Sequence, residues 1–263
     1  MPRSRIMPRS RSARVAVTVT AALVAGAAVF ATGVATADNT TPRSDKEIPN
    51  LGLVENQIEA YYGDTVVNGE HYASPTSNYA HQLYGIEAGA KAWIAHADRH
   101  THGKPAIVLD VDDTTLSTYN YEQEQGFGYT PASNGAYIDS KTMPAVFGMP
   151  GLVDWAADHG VTVFYLTGRP EAQRAASAAN LSAVGYQPAA DTDHFFLKNS
   201  ATPPAYLSCG ATCTTEQYKS GTRAHIESEG YDIVANFGDQ YSDLSGGHAE
   251  KGFKLPNPMY YLP

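Results

Sequence analysis

The sequence predicts an α/β fold built on a parallel sheet with helices on both faces. Short, near-continuous apolar runs occur at 106–109, 161–166, 194–197 and 231–236. Segments with helical spacing separate them, near 150–159, 170–184 and 215–229. Strands without polar alternation need cover on both faces, and strand–helix alternation makes the crossovers parallel. In such sheets ligands bind at the carboxyl ends of the strands.

Two helices precede the first strand. Leu51, Val54, Ile58 and Tyr61 recur at three and four and stop at Gly63. Tyr79, Leu83, Ile86, Ala90, Trp93 and Ala97 continue the pattern over a longer run, and both helices read as packing elements. The helix near 170–184 carries Pro170 in its first turn and ends at Gly185, the expected asymmetry. Residues 117–149 break the alternation. They include Tyr119, Tyr121, Phe127, Tyr129 and Tyr137 and sit directly after the first strand, placed either as a cap over the site or as an ordinary surface excursion.

Residues 1–37 differ in kind from the rest. Arg3, Arg5, Arg9, Arg11 and Arg14 precede a weakly apolar stretch, and Ala35-Thr36-Ala37 gives a small-x-small cleavage pattern. The expectation is a signal peptide cleaved after Ala37 and a secreted protein without stable membrane association; the alternative is an uncleaved anchor, for which Ala and Thr are poor material. Residues 38–50 read as a polar lead-in. The chain has 18 basic and 27 acidic residues; removing five Arg and no acid leaves 13 against 27, a formal charge of −14. That balance excludes a broad basic face for a nucleic-acid polymer. Cys209 and Cys213 form an even, close pair, read as a small disulfide loop or, failing that, as two free thiols.

Chemistry concentrates where the first strand ends, in Asp110-Val111-Asp112-Asp113-Thr114-Thr115. Clustered carboxylates at the end of a buried strand repel one another unless a cation neutralises them, and an oxygen-only donor set favours Mg²⁺ over Zn²⁺. Asp110 and Asp112 can point the same way while Val111 packs inward. The fourth strand ends in Gly238-Asp239-Gln240-Tyr241-Ser242-Asp243, so Asp239 and Asp110 share a metal if the two strands are neighbours. Thr167, in Leu166-Thr167-Gly168-Arg169-Pro170, closes the second strand before a helix, where a hydroxyl and free amides make an anion site or a plain N-cap. A lone Asp-x-Asp is usually a turn, and a lone Lys219 a solvated side chain. The ordered set carries the argument.

That set resembles the haloacid dehalogenase (HAD) superfamily, and within it the branch of plant acid phosphatases, vegetative storage proteins and bacterial class B enzymes. Asp110 to Thr114 matches Asp-x-Asp-x-Thr, Thr167 the second motif, Lys219 the third, and Gly238 to Asp243 the fourth. Branch similarity lies in 113–117, 167–170, 230–234 and 253–261, and covers roughly 76–263. Lys198 also follows a strand, but Tyr218-Lys219-Ser220 followed by Arg223 is the branch pattern. The segment 199–214 has no recognised counterpart.

The resemblance implies a Rossmann-like three-layer α/β/α domain over 76–263 with a small, mainly helical cap, acting on small phosphomonoesters. It implies Asp110 as nucleophile and Asp112 as general acid and base. Mg²⁺ would be held by the Asp110 side chain, the Asp112 carbonyl and Asp239. Thr167, Gly168 and Lys219 would bind the phosphoryl group, with Asp243 and Arg169 supporting. Competing readings are a dehalogenase or phosphonate-cleaving relative, which Asp112 and the branch motifs disfavour, a non-catalytic storage protein, and a phosphotransferase. The cap aromatics either stack on a nucleobase or form the cap's own core.

Overall fold

Packing sorts the apolar strands by period two. The protein is described here by a computed structural model covering residues 50–97, 100–187 and 193–262. Strand β3 (Lys104–Leu109) is the centre of a five-stranded sheet. Its Ile107 and Leu109 enter one buried cluster and its Ala106 and Val108 another. Successive side chains of a strand point to opposite faces, so an uninterrupted apolar run feeds two cores at once. The sheet also contains β4 (Thr162–Pro170), β5 (Phe195–Lys198), β6 (Tyr231–Gly238) and β7 (Gly252–Lys254), in the order β5-β4-β3-β6-β7 with every neighbour pair parallel.

The larger core joins one face to α2 (Asn78–Ala97), α5 (Met149–Asp158) and α6 (Arg174–Ala183) through Leu83, Ile94, Leu152, Val153 and Leu181. On the other face, α7 (Thr215–Ser228) contributes Tyr218 and Ile226. The result is the expected three-layer α/β/α arrangement. A Thr214–Gln217 capping box starts α7, pairing two orphan donors at a helix end. Among the described residues no helix is long and apolar enough to cross a membrane.

Three details depart from the sequence reading. The fifth strand, β7, was not anticipated: three residues with a single large apolar side chain give no run to detect. Within 38–75, α1 (Leu51–Tyr62) is followed by a hairpin of β1 (Thr65–Val67) and β2 (Glu70–Tyr72), also unanticipated. Its Asn68 and Gly69 both have positive φ, 56° and 89°, and an Asn-Gly pair between two short strands is the signal that marks such a turn. Finally, Pro170 belongs to β4 and not to a helix; a short 3₁₀ turn, Glu171–Gln173, intervenes before α6.

Residues 117–149 contain α3 (Tyr119–Glu124) and α4 (Pro131–Ser140). Tyr119 and Tyr121 are buried, Phe127 and Tyr137 half-buried, and Tyr129 exposed. Tyr119 stacks on Tyr62 at 4.4 Å and Tyr121 on Tyr137 at 5.3 Å, so four of the five rings pack against protein. By contacts the chain divides at Leu53, and Val54–Pro263 forms one unit. The segment 1–37, expected as a signal peptide, and the lead-in up to residue 49 lie outside the described residues.

Candidate active site

Register brings the motif residues to one edge of the sheet. Leu109 pairs with Tyr165 on β4 and with Phe237 on β6. Asp110, Leu166 and Gly238 therefore stand at the same level, where β3 and β6 end while β4 runs on to Pro170. The Asp110 amide extends the ladder by one more bond, to the Phe237 carbonyl at 3.0 Å. Strands β4 and β5 lie to one side of β3, and β6 and β7 to the other. The strand order thus reverses between β3 and β6, the switch point where open α/β sheets bind ligands.

Lys219, on α7, is 4% exposed and reaches this edge. Its Nζ donates to Asp110 Oδ1 at 2.5 Å and also bonds Asp243. Lys198, the last residue of β5, donates instead to the Cys213 carbonyl at 3.3 Å. Asp243 sits in the first turn of α8 (Tyr241–Leu244), where its Oδ2 accepts the Gln240 amide at 2.9 Å. Gly238 makes this approach possible: a Cβ there would lie 2.3 Å from Asp243 Cβ. Arg223, four residues beyond Lys219 on α7, is fully buried. Its guanidinium donates to the carbonyls of Asp243 at 2.6 Å, Gly247 at 2.9 Å and Ser245, tying α7 to the loop that carries Asp243.

Asp110, Asp239 and Asp243 each place a carboxylate oxygen within 4.8 Å of the others, and all three are buried. Burial drives the Asp110 carboxyl well up, against the opposing pull of Lys219. Asp239 is pushed up to about 8 by burial and then by Asp113. Gln240 Nε2 and Asn257 Nδ2 both donate to its Oδ2, each at 2.7 Å. Its Oδ1 accepts no hydrogen bond among the described residues. Three carboxylates against one ammonium leave surplus negative charge, carried entirely by oxygen. This donor set fits a hard divalent cation.

Asp112 stands apart from that trio. Arg169 grips its carboxylate through Nε at 3.0 Å and Nη2 at 2.7 Å. The same guanidinium donates to Ser177 Oγ at 2.8 Å and meets Met143 Sδ at 3.0 Å. Asp112 keeps 28% of its side chain exposed, whereas Arg169 keeps 3%. The carboxylate therefore stands at the mouth of the site, held from behind.

Thr167 is buried, and its Oγ1 accepts the Arg169 amide at 3.1 Å. It does not start a helix. Strand β4 continues for three more residues and α6 opens only at Arg174, so the helix-terminus reading of Thr167 is corrected to a strand position. Gly168 is exposed, with no atom within 4 Å of where a Cβ would stand. Cys209 and Cys213 are disulfide-bonded.

The sequence reading passed over Asp113 as a working residue. It is fully buried with φ 52°. It accepts Thr118 N at 2.9 Å, Thr118 Oγ1 at 2.5 Å and Tyr260 OH at 2.7 Å. Burial raises it to about 7. These bonds close the loop after β3 and pin the C-terminal segment to it. Tyr260 and Asn257 lie in a stretch that showed similarity without an assigned role. A cavity of about 330 Å³ lies elsewhere, against Glu171, Phe196, Tyr206 and His225. It is lined by none of the four motif residues.

Comparison with known proteins shows the family. Residues 22–263 match the family model for HAD superfamily, subfamily IIIB (Acid phosphatase). Acid phosphatase 1 of Solanum lycopersicum is 32% identical over 188 residues, covering 70% of this chain and 69% of that protein. The Stem 28 kDa glycoprotein of Glycine max is 29% identical over 201 residues, covering 74% and 72%. The class C acid phosphatase from Bacillus anthracis superposes with a TM-score of 0.59 at 24% identity, covering 80% of this chain and 86% of that one, a likeness of fold. The chain belongs to subfamily IIIB of the HAD superfamily, a family of acid phosphatases and hence of phosphomonoesterases.

Proposed function

We propose that this phosphomonoesterase is exported, depends on Mg²⁺, and works through an aspartyl-phosphate on Asp110. The observation that carries the reading is the convergence of Asp110, Lys219 and Asp243, with Asp239 within 4.8 Å. An Asp110 oxygen attacks phosphorus, the bond to the ester oxygen breaks, and Asp112 gives that oxygen its proton. Asp112 then removes a proton from water, which attacks phosphorus and frees Asp110 and inorganic phosphate. Arg169 fixes the angle at which Asp112 meets the leaving oxygen. Lys219 and Thr167, with the Gly168 amide, receive the equatorial phosphoryl oxygens, where transition-state charge resides.

Asp110, Asp239 and the Asp112 carbonyl would hold the cation, with Asp243 close by. When bound, Mg²⁺ supplies charge neutralisation that lets an anionic nucleophile approach an anionic ester. Residues 117–149, whose Met143 meets Arg169 and whose Thr118 meets Asp113, act as a small cap on the domain spanning 76–263. The disulfide and the basic N-terminal segment support export.

Hydrolysis of p-nitrophenyl phosphate with and without a chelator tests the reading. Asp110→Asn is expected to abolish turnover in a variant that stays folded, because Asp243 still pairs Lys219. Retention of more than about a hundredth of wild-type kcat with a folded variant overturns the nucleophile assignment.

A further inference from the structure

Glu122 lies in the first turn of α3 and is 6% exposed. Its carboxylate has no hydrogen bond and no ion pair among the described residues. Its oxygens are not among the fully enclosed unpartnered atoms, so the little surface it keeps includes the carboxylate. Asp112, a charge of the same sign, acts on it. Arg169, the cation on that side, is already committed to Asp112, Ser177 and Met143. Burial, and after it Asp112, raise the Glu122 carboxyl to about 7. A mostly buried glutamate held beside a like charge, with no donor from the described residues, costs the fold free energy. An apolar side chain would serve the packing better, so a ligand is the better explanation for the acid.

We propose that Glu122 is a specificity residue that receives a cationic group on the leaving alcohol, so that phosphate monoesters of amino alcohols are preferred over those of neutral alcohols. The inference rests on the proposed mechanism: the alcohol departs on the side of Asp112, and Glu122 lies one turn from Thr118, whose carbonyl accepts the Glu122 amide at 3.0 Å and whose hydroxyl bonds Asp113, the neighbour of Asp112. An ammonium two carbons from the ester oxygen gains from Glu122 and Asp112 together, whereas a neutral hydroxyl satisfies only one acceptor site.

The test compares kcat/KM at pH 8 for phosphoethanolamine, propyl phosphate and 2-hydroxyethyl phosphate, in wild type and Glu122→Gln. At that pH Glu122 is ionised and the substrate amine is still protonated. Wild type is expected to favour phosphoethanolamine over propyl phosphate by roughly 10- to 100-fold, as a hydrogen bond between charged partners implies. The Gln variant is expected to bring the ratio within about threefold of unity, mainly through KM. It should melt no lower than wild type, because a buried unpaired charge is gone. A wild-type ratio near unity overturns the inference even if the variant does not fold. So does an unchanged ratio in Glu122→Gln, or 2-hydroxyethyl phosphate matching phosphoethanolamine. Wild type hydrolysing propyl phosphate with a flat ratio sinks only the role of Glu122; wild type inert toward all three sinks the mechanism beneath it as well.

Discussion

Lys219→Met removes one positive charge from a place where two carboxylates share it and almost no water reaches. Methionine is unbranched and of similar length, so the substitution opens little space and the loss is electrostatic. By side chain, Lys219 is 4% exposed, Asp110 8% and Asp243 5%. Breaking a buried pair by deleting one partner costs about 3–5 kcal/mol. In a domain of this size each kcal/mol moves the thermal midpoint by about 2–4 °C. The expected drop in chelator at pH 7.5 is therefore about 6–20 °C.

The pH dependence of that drop has a definite sign. Without the ammonium, the remaining buried carboxylates titrate higher in the folded protein than in the unfolded chain. Such a group contributes its full stability below the unfolded value, near 4, and loses it as the pH rises through the folded value. The deficit must therefore shrink at pH 5. A saturating divalent cation at pH 7.5 must shrink it too, by binding the folded state. The same variant is expected to lose about 10²–10³ in kcat/KM toward p-nitrophenyl phosphate, through lost stabilisation of phosphoryl charge. Differential scanning fluorimetry and initial rates measure both. A variant melting within about 2 °C of wild type in chelator at pH 7.5 would refute the claim that Lys219 holds this cluster together.

Other outcomes follow from the same geometry. In chelator, wild type should lose stability as the pH rises from 5 to 9, because Asp113 and Asp239 titrate near 7 and 8 in the fold and near 4 outside it. Added Mg²⁺ should flatten that profile, and a profile indifferent to Mg²⁺ would count against a cation among these carboxylates. Arg223→Met strips a charged donor from three carbonyls and should cost at least about 3 kcal/mol, read by urea unfolding; a cost under about 1 kcal/mol would mean those bonds do not hold the Asp243 loop. Joint replacement of Cys209 and Cys213 by Ala opens a loop with a sequence separation of only 4. Loop-closure entropy then limits the loss to about 2 kcal/mol, and activity should survive, since among the described residues neither cysteine bonds a residue of the site; loss of turnover in the folded double variant would show that the 199–214 segment shapes the site.

Much of this protein is legible along the chain, because the features concerned are local. Four strands announce themselves as apolar runs, since a strand buried on both faces tolerates no polar alternation. Helix ends show in Gly63 and Gly185, since a helix stop is settled within a few residues. Asp110, Thr167, Lys219 and Asp239 stand out because each follows or neighbours such an element in a fixed order. What required the tertiary structure is partnership across distance. That Lys219 faces Asp110 while Lys198 faces the Cys213 carbonyl depends on the placement of α7 against the sheet. That Asp112 turns to Arg169, Asp113 binds Tyr260 across 147 positions, and Glu122 is left without a donor depends on how 117–149 and the C-terminal segment pack. Side-chain direction and burial are properties of the assembled surroundings, and no spacing along the chain encodes them singly.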